Sequence, residues 1–301
     1  MKIFYGLIIL LLSWDVLAAK NNMPDYGNDV IGKNYIITVG KGDNLTKIRQ
    51  VNDISYAELV EGNPNINFYK LKIGQKVIIP KQFILPKFRN GIVINMAELR
   101  LYYFTPDGRY VYTFPVGLGR VAWRTPLALT KVVKKEKDPV WTAPESIRNY
   151  ILKKTGKLPK KVVPPGPENP LGGYSLRLGL NSYLIHGTNA PTSVGTFISS
   201  GCMRLNADAI KLLYEQVPVD TLVHIIHQPN KAGWYNNKLY LESHDPISCY
   251  AKQPESNLNE LNVKSAIYKA TYIRPANINW SAVSYITKES TGIVQQIGAI
   301  M

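Results

Sequence analysis

Cysteine is nearly absent from this chain: two in 301 residues, Cys202 and Cys249. So few exclude a disulfide scaffold, and with only four histidines there is no clustered ligand set for a structural metal. Acidic residues are scarce as well. Lys and Arg number 36 against 21 Asp and Glu, a formal net charge of +15. The basic residues are spread along the chain and form no arginine-rich helix or finger motif, which argues against nucleic acid as the partner. Long apolar runs are missing too. The one candidate, Ile3 to Leu12, falls well short of the roughly 20 residues that cross a bilayer.

That run follows Met1-Lys2 and precedes Val16-Leu17-Ala18-Ala19, the pattern of an export signal over residues 1–19. No cysteine lies near the expected cleavage site, so a lipoprotein anchor is not supported. The expected mature protein lies outside the cytoplasm with no transmembrane segment, where its positive charge suits polyanionic envelope material. Hydrophobic residues make up 45% of the chain, enough for one medium domain and one or two smaller ones. Two readings of the cysteines stay open at this point. An exported protein can form a Cys202–Cys249 bridge, or Cys202 can be a reactive thiol.

Residues 34–81 read strand, helix, helix, strand. Tyr35 to Val39 alternates, and Lys76 to Ile79 closes the unit before Pro80. The first helix is expected after Gly42-Asp43-Asn44, capped by Asp43 or Asn44, with Leu45, Ile48 and Val51 turned inward. Ser55 with Glu58 forms a capping box for the second, which stops at Gly62-Asn63-Pro64. Through Val39-Gly40-Lys41-Gly42-Asp43-Asn44-Leu45, the Asn63-Pro64-Asn65 turn and Leu71 to Pro80, this unit resembles a LysM domain. The resemblance implies affinity for N-acetylglucosamine-containing glycan strands, in a shallow groove between the first helix start and the second helix end.

Pro80 and Pro86 flank a short connector, after which residues 90–228 become rich in strands: Gly91 to Asn95, Leu99 to Phe104, an Asp107-Gly108 turn and Tyr110 to Val116. Leu127 to Val133, Tyr174 to Leu178 and Tyr183 to His186 follow. The proline-rich stretch from Pro159 to Pro170 reads as a long surface loop. A helix from Ala207 to Gln216, with Asn206 at its N-cap and Ile210, Leu213 and Tyr214 inward, leads to a last strand, Thr221 to Ile226. Residues 229–301 form an appended subdomain with a Lys238 to Glu242 strand and helices near Asn259 to Tyr268 and Trp280 to Lys288.

The chemistry concentrates between Leu184 and Leu205. A free thiol has a pKa of about 8.5, so a nucleophilic cysteine needs a base or a positive charge beside it. His186, at a strand end, can supply both. The Gly187 carbonyl can hold its tautomer, Gly201 permits a sharp turn, and the Gly201 and Cys202 amides are candidate oxyanion donors. A helix starting just behind the turn adds a positive field.

His186-Gly187-Thr188-Asn189 with Ser199-Ser200-Gly201-Cys202-Met203-Arg204-Leu205 resembles the active site of the YkuD-like L,D-transpeptidases. Ile94 to Phe104, Phe114 to Arg120, Val163 to Gly172, Lys231 to Trp234 and Ile278 to Trp280 extend the likeness over most of the chain, toward the ErfK- and YbiS-type branch. The implied fold is a mainly β catalytic domain of YkuD-like type, with a small βααβ LysM domain and a short α/β C-terminal subdomain. The implied location is the periplasm. Cys202 is then the nucleophile, His186 the proton acceptor and donor, and Gly187 the orienting residue. Ser200 and Gly201 complete the catalytic turn. Arg204, Thr188 and Asn189 are the implied substrate-binding residues, Arg204 serving either substrate positioning or loop bracing.

The implied reaction has Cys202 attack the third residue, usually meso-diaminopimelate, of a tetrapeptide stem. D-alanine leaves, and the thioester passes to an amine of a second stem or of an envelope protein. No cofactor or metal is implied, and the partners are peptidoglycan stem peptides and glycan strands, with a periplasmic thiol reductant keeping Cys202 active. Water as acceptor would give an L,D-carboxypeptidase or amidase instead, and a protein that only binds peptidoglycan is the non-enzymatic rival. Two positions depart from the family pattern: Ser200 replaces a frequent second histidine, and Ala128 replaces a usual glycine. His224 and His227 read as structural residues and His244 as a surface one.

Overall fold

The structure is a computed structural model and describes residues 20–247 and 262–301. The expected export signal and Cys249 lie outside the described residues. Two short strands open the chain, β1 (Lys20–Asn22) and β2 (Val30–Gly32). The small unit follows as β3 (Tyr35–Thr38), α1 (Leu45–Asn52), α2 (Tyr56–Glu61) and β4 (Lys76–Ile79), with β3 and β4 antiparallel. Asn44 caps α1 by accepting from the Lys47 amide at 2.9 Å. The Ser55–Glu58 capping box has both of its bonds.

Ile48, Ile54, Leu59, Val77 and Ile79 make this unit's core. Val51, expected inside, is 66% exposed. Steps of three residues fall short of a full helical turn, so a third residue at that spacing drifts off the buried face. Asn52, four beyond Ile48, takes the place and donates to the Ile48 carbonyl. The expected connector after Pro80 contains a strand, β5 (Gln82–Ile84), paired with β2. Its partner lies about fifty residues earlier, so no local pattern announces the pairing.

The large domain contains β6 (Gly91–Asn95), β7 (Arg100–Phe104), β8 (Tyr110–Pro115), β9 (Leu118–Gly119), β10 (Ala128–Lys137) and β11 (Trp141–Thr142). Then come α3 (Glu145–Thr155), β12 (Val162–Val163), β13 (Tyr174–Leu178), β14 (Leu184–His186), β15 (Phe197–Ser199), β16 (Met203–Arg204), α4 (Ala207–Gln216) and β17 (Leu222–Ile226). A nine-stranded sheet runs β1-β8-β7-β6-β17-β10-β13-β14-β16. Leu101, Phe114, Leu176, Ile185, Met203, Ile210 and Ile225 belong to one core that joins this sheet to α4.

Helix α3 is an element the sequence reading did not find. It buries none of its residues, so it carries no apolar stripe to read. Its punctuation was visible, however: Pro144 precedes it and Gly156, at φ 70°, ends it. The stretch after Pro159 is loop apart from β12, which pairs with β11.

The tail folds as β18 (Asn230–Tyr235), β19 (Lys238–Ser243), α5 (Val263–Thr271), β20 (Ala276–Ile278), α6 (Trp280–Glu289) and β21 (Gln295–Ile300). Its sheet order is β18-β19-β21-β20, over a core that includes Trp234, Leu241, Ile267 and Ile286. Where it meets the other two units, Lys231 Nζ lies 2.9 Å from both Glu98 Oε2 and Glu242 Oε1. His244, expected on the surface, is 4% exposed and bonds Glu242 at 2.9 Å. Sequence alone could not show that Glu242, two residues earlier on the same face of the strand, needed a buried partner. No helix among the described residues is long and apolar enough to cross a membrane.

Candidate active site

Two parallel strands at one edge of the sheet set the site. β14 pairs β16 with Ile185 opposite Met203 and His186 opposite Arg204. Ile185 and Met203 are both fully buried in the main core. Alternation along a strand therefore sends His186, Arg204 and, one residue before β16, Cys202 to the opposite face. The antiparallel neighbour β13 places Arg177 beside Leu184 and Ser175 opposite His186 on that same face. One register thus gathers a thiol, an imidazole and two guanidinium groups.

His186 Nδ1 donates to the Gly187 carbonyl at 2.6 Å, which leaves Nε2 as the proton-accepting nitrogen. The ring is 4% exposed. Burial, reinforced by the charge of Arg204 and opposed by the Gly187 bond, pushes its pKa down to about 4. Space at Gly187 is tight, since a Cβ would meet the Leu171 carbonyl oxygen at 3.1 Å and Ile210 at 3.3 Å.

Cys202 is half-buried and a free thiol. Its Sγ donates to the Ser182 carbonyl at 3.5 Å. Burial pushes the thiol's pKa up, while the Leu184 amide and the charges of Arg204 and Arg177 pull against that shift. At neutral pH the imidazole is therefore neutral and the thiol protonated.

The turn before the thiol is braced from several sides. Gly201 adopts φ 111°, a conformation that side-chain-bearing residues avoid. Its amide donates to Ser199 Oγ at 3.1 Å, and Ser199 Oγ donates to the Cys202 carbonyl at 2.6 Å. The Gly201 amide is thus already engaged, contrary to its expected role as an oxyanion donor. The Cys202 amide has no protein acceptor among the described residues. Thr125 Oγ1 donates to the Gly201 carbonyl at 2.8 Å and accepts from the Gly119 amide at 3.0 Å.

Ser200, the first departure from the family pattern, accepts from Arg120 Nη2 at 3.2 Å. That guanidinium lies over the rings of Trp123 and Tyr150, so it links the nucleophile turn to α3. Sequence reasoning passed over Arg120 because nothing local marks its partners. Ala128, the second departure, starts β10 opposite Ile225 in ordinary extended pairing, so alanine carries no backbone cost there.

The remaining predicted residues divide. Arg204 Nε is buried without a hydrogen-bond partner, while the residue's backbone exchanges two 2.8 Å bonds with Gly117. Thr188 Oγ1 accepts from the Ala190 amide at 3.0 Å, and Asn189 Nδ2 donates to the Glu168 carbonyl at 3.0 Å. The asparagine bond ties the proline-rich loop to the exit of β14, and the threonine bond stays within that exit. Asn206 stands at the N-cap of α4 but makes no side-chain cap bond. His224 stacks on Phe88 and His227 accepts from the Ile247 amide, both away from Cys202.

An oriented imidazole and a thiol at adjacent strand ends are the two groups that a cysteine–histidine acyl-transfer site requires. Residues 89–225 match the L,D-transpeptidase catalytic domain of YkuD type, and residues 37–80 match the LysM domain. The chain is 37% identical over 263 residues to "Probable L,D-transpeptidase ErfK/SrfK" of Escherichia coli K12, covering 85% of this chain and 84% of that one. It is 37% identical over 238 residues to "Probable L,D-transpeptidase YbiS" of the same strain, covering 77% of each. This chain belongs to the L,D-transpeptidase family.

Proposed function

We propose that this protein is a periplasmic enzyme that forms peptidoglycan cross-links through a Cys202 thioester. The observation that carries this reading is the shared face of His186 and Cys202, with Nδ1 of the imidazole held by the Gly187 carbonyl. His186 Nε2 takes the thiol proton as sulfur attacks the carbonyl of the donor stem's third residue. The Cys202 amide, still free, donates to the developing oxyanion. Collapse expels D-alanine, which takes the proton from His186, and leaves the thioester. An amine of a second stem or of an envelope protein then attacks, giving its proton to His186, and the amide forms as sulfur leaves.

Arg204 is the substrate-positioning residue in this scheme. A guanidinium without side-chain partners near the thiol suits a stem carboxylate better than a loop brace. Asn189 acts on the substrate indirectly, by fixing the loop through Glu168, and Thr188 by holding the local turn through Ala190. In the LysM unit a groove of about 600 Å³, lined by Asn44, Thr46, Lys47, Gln50, Phe68 and Tyr69, is the site proposed for glycan strands.

Incubation with disaccharide-tetrapeptides, followed by mass spectrometry, tests the reading. A dimer lacking one D-alanine is the expected product, whereas tripeptide alone would show that water is the acceptor. The pH profile tests the proton path. Since His186 must be neutral to act as base and burial holds its pKa at about 4, the acid limb of kcat/KM is expected near that value. A limb at about 6.5, the ordinary histidine value, would show that the working His186 does not carry the downward shift that burial gives it.

A further inference from the structure

The loop that presents Cys202 is gripped at both ends by the LysM unit. At its start, Arg49 Nη2 on α1 donates to the Val194 carbonyl at 2.6 Å. Next to it Gly195, at φ 70°, lies so close to Ser55 that a Cβ would stand 2.4 Å from the serine's own Cβ. At its end, Asn206 Nδ2 reaches Asp53 Oδ1 at 3.4 Å. Asp53 itself ends α1 in the left-handed region, at φ 46°. Beneath these contacts Glu58 of α2 and Arg100 of β7 form an ion pair of 2.5 Å, with the arginine side chain fully buried.

We propose that Arg49, Asp53 and Ser55 are positioning residues of the reaction, which clamp the ends of the Cys202 loop and so set the thiol against His186. The proposal rests on Cys202 being the nucleophile. A loop between two clamps loses the freedom to carry its thiol away from the imidazole. Displacement of a reacting atom by about 1 Å is enough to cost up to ~10²-fold in rate. A glycan-binding module joined by a flexible linker would need none of these bonds. Here the helix that supplies Arg49 also lines the groove with Lys47 and Gln50, so the glycan site and the thiol form one body.

The test compares wild type, Arg49→Ala and Arg49→Lys, each in a Cys249→Ser background so that Cys202 is the sole thiol. Soluble disaccharide-tetrapeptide is the substrate, so that loss of binding to sacculi cannot explain an effect. Arg49→Ala is expected to lower kcat about tenfold at unchanged KM and Tm, and lysine, which can still donate to Val194, to recover most of it. The rate of Cys202 alkylation by iodoacetamide against pH should shift in the alanine variant and return in the lysine one. Wild-type kcat and a wild-type alkylation profile in a folded Arg49→Ala protein would overturn the proposal. Should that variant fail to fold, Asn206→Ala at the other clamp gives the same comparison. If wild type itself yields no product, the cross-linking reaction is wrong, while alkylation still decides the clamp.

Discussion

Replacement of Cys202 by alanine is expected to abolish formation of the D-alanine-depleted dimer, by at least ~10³-fold, without unfolding the protein. Loss of the nucleophile of a site that acts as a unit removes nearly all of its acceleration. The fold should survive because the side chain is half-buried, bonds only the backbone of Ser182 and Leu184, and lies on the face away from the main core. Truncation of such a group lies within about 1 kcal/mol. Muropeptide analysis reads the first effect, and circular dichroism with thermal melting reads the second. Binding to sacculi should match wild type, because the proposed groove lies on α1. Dimer formation by the alanine variant would remove Cys202 from the mechanism altogether.

The sequence exposed this site to the extent that its parts are local. His186 with Gly187 and the Ser199 to Cys202 turn each lie within a few residues, so motif and chemistry could be read together. The parallel pairing of β14 with β16 was not legible in the same way, because β16 is only two residues long and was read as part of a turn. Arg120, Arg49 and Asp53 were invisible for the opposite reason. Their partners are Ser200, Val194 and Asn206, between 80 and 153 positions away. Capping signals marked α1 and α2, and periodicity marked α4, which buries Ala209, Ile210, Leu212 and Leu213, whereas α3, which buries no residue, was missed. Where a residue's role depends on a distant partner, its own neighbourhood carries no signal. His244 shows this plainly, as its place is set by Glu242 and Glu61 from two different units.

The cluster around His244 carries the largest stability prediction. Lys231 sits between two carboxylates that are at most 1% exposed, and also donates to the Ile84 carbonyl at 2.7 Å. Its ammonium occupies the space a metal ion would need among Glu98, Glu242 and His244. Lys231→Met keeps the length of the side chain but leaves two buried carboxyl groups with His244 as their remaining cation. Such a loss is expected to cost about 3–5 kcal/mol, or roughly 10 °C in Tm. In wild type, burial raises the Glu242 pKa, but Lys231 and His244 outweigh it and hold the group below its ordinary value. Its stabilisation is present above the unfolded carboxylate pKa and is lost as pH falls through the lowered one. His244, despite its burial, is raised to about 10 by its bond to Glu242, so its contribution is full below about 6.5 and is lost as pH rises toward 10. Removing the ammonium reverses the sign for Glu242 and adds to the upward push that burial already gives Glu98. Acid then relieves the variant by protonating them. The Tm gap between wild type and Lys231→Met should therefore narrow as pH is lowered from about 7 to about 5. A gap of constant size across that range would place the cost in lost packing around the Lys231 stem and not in the two stranded charges.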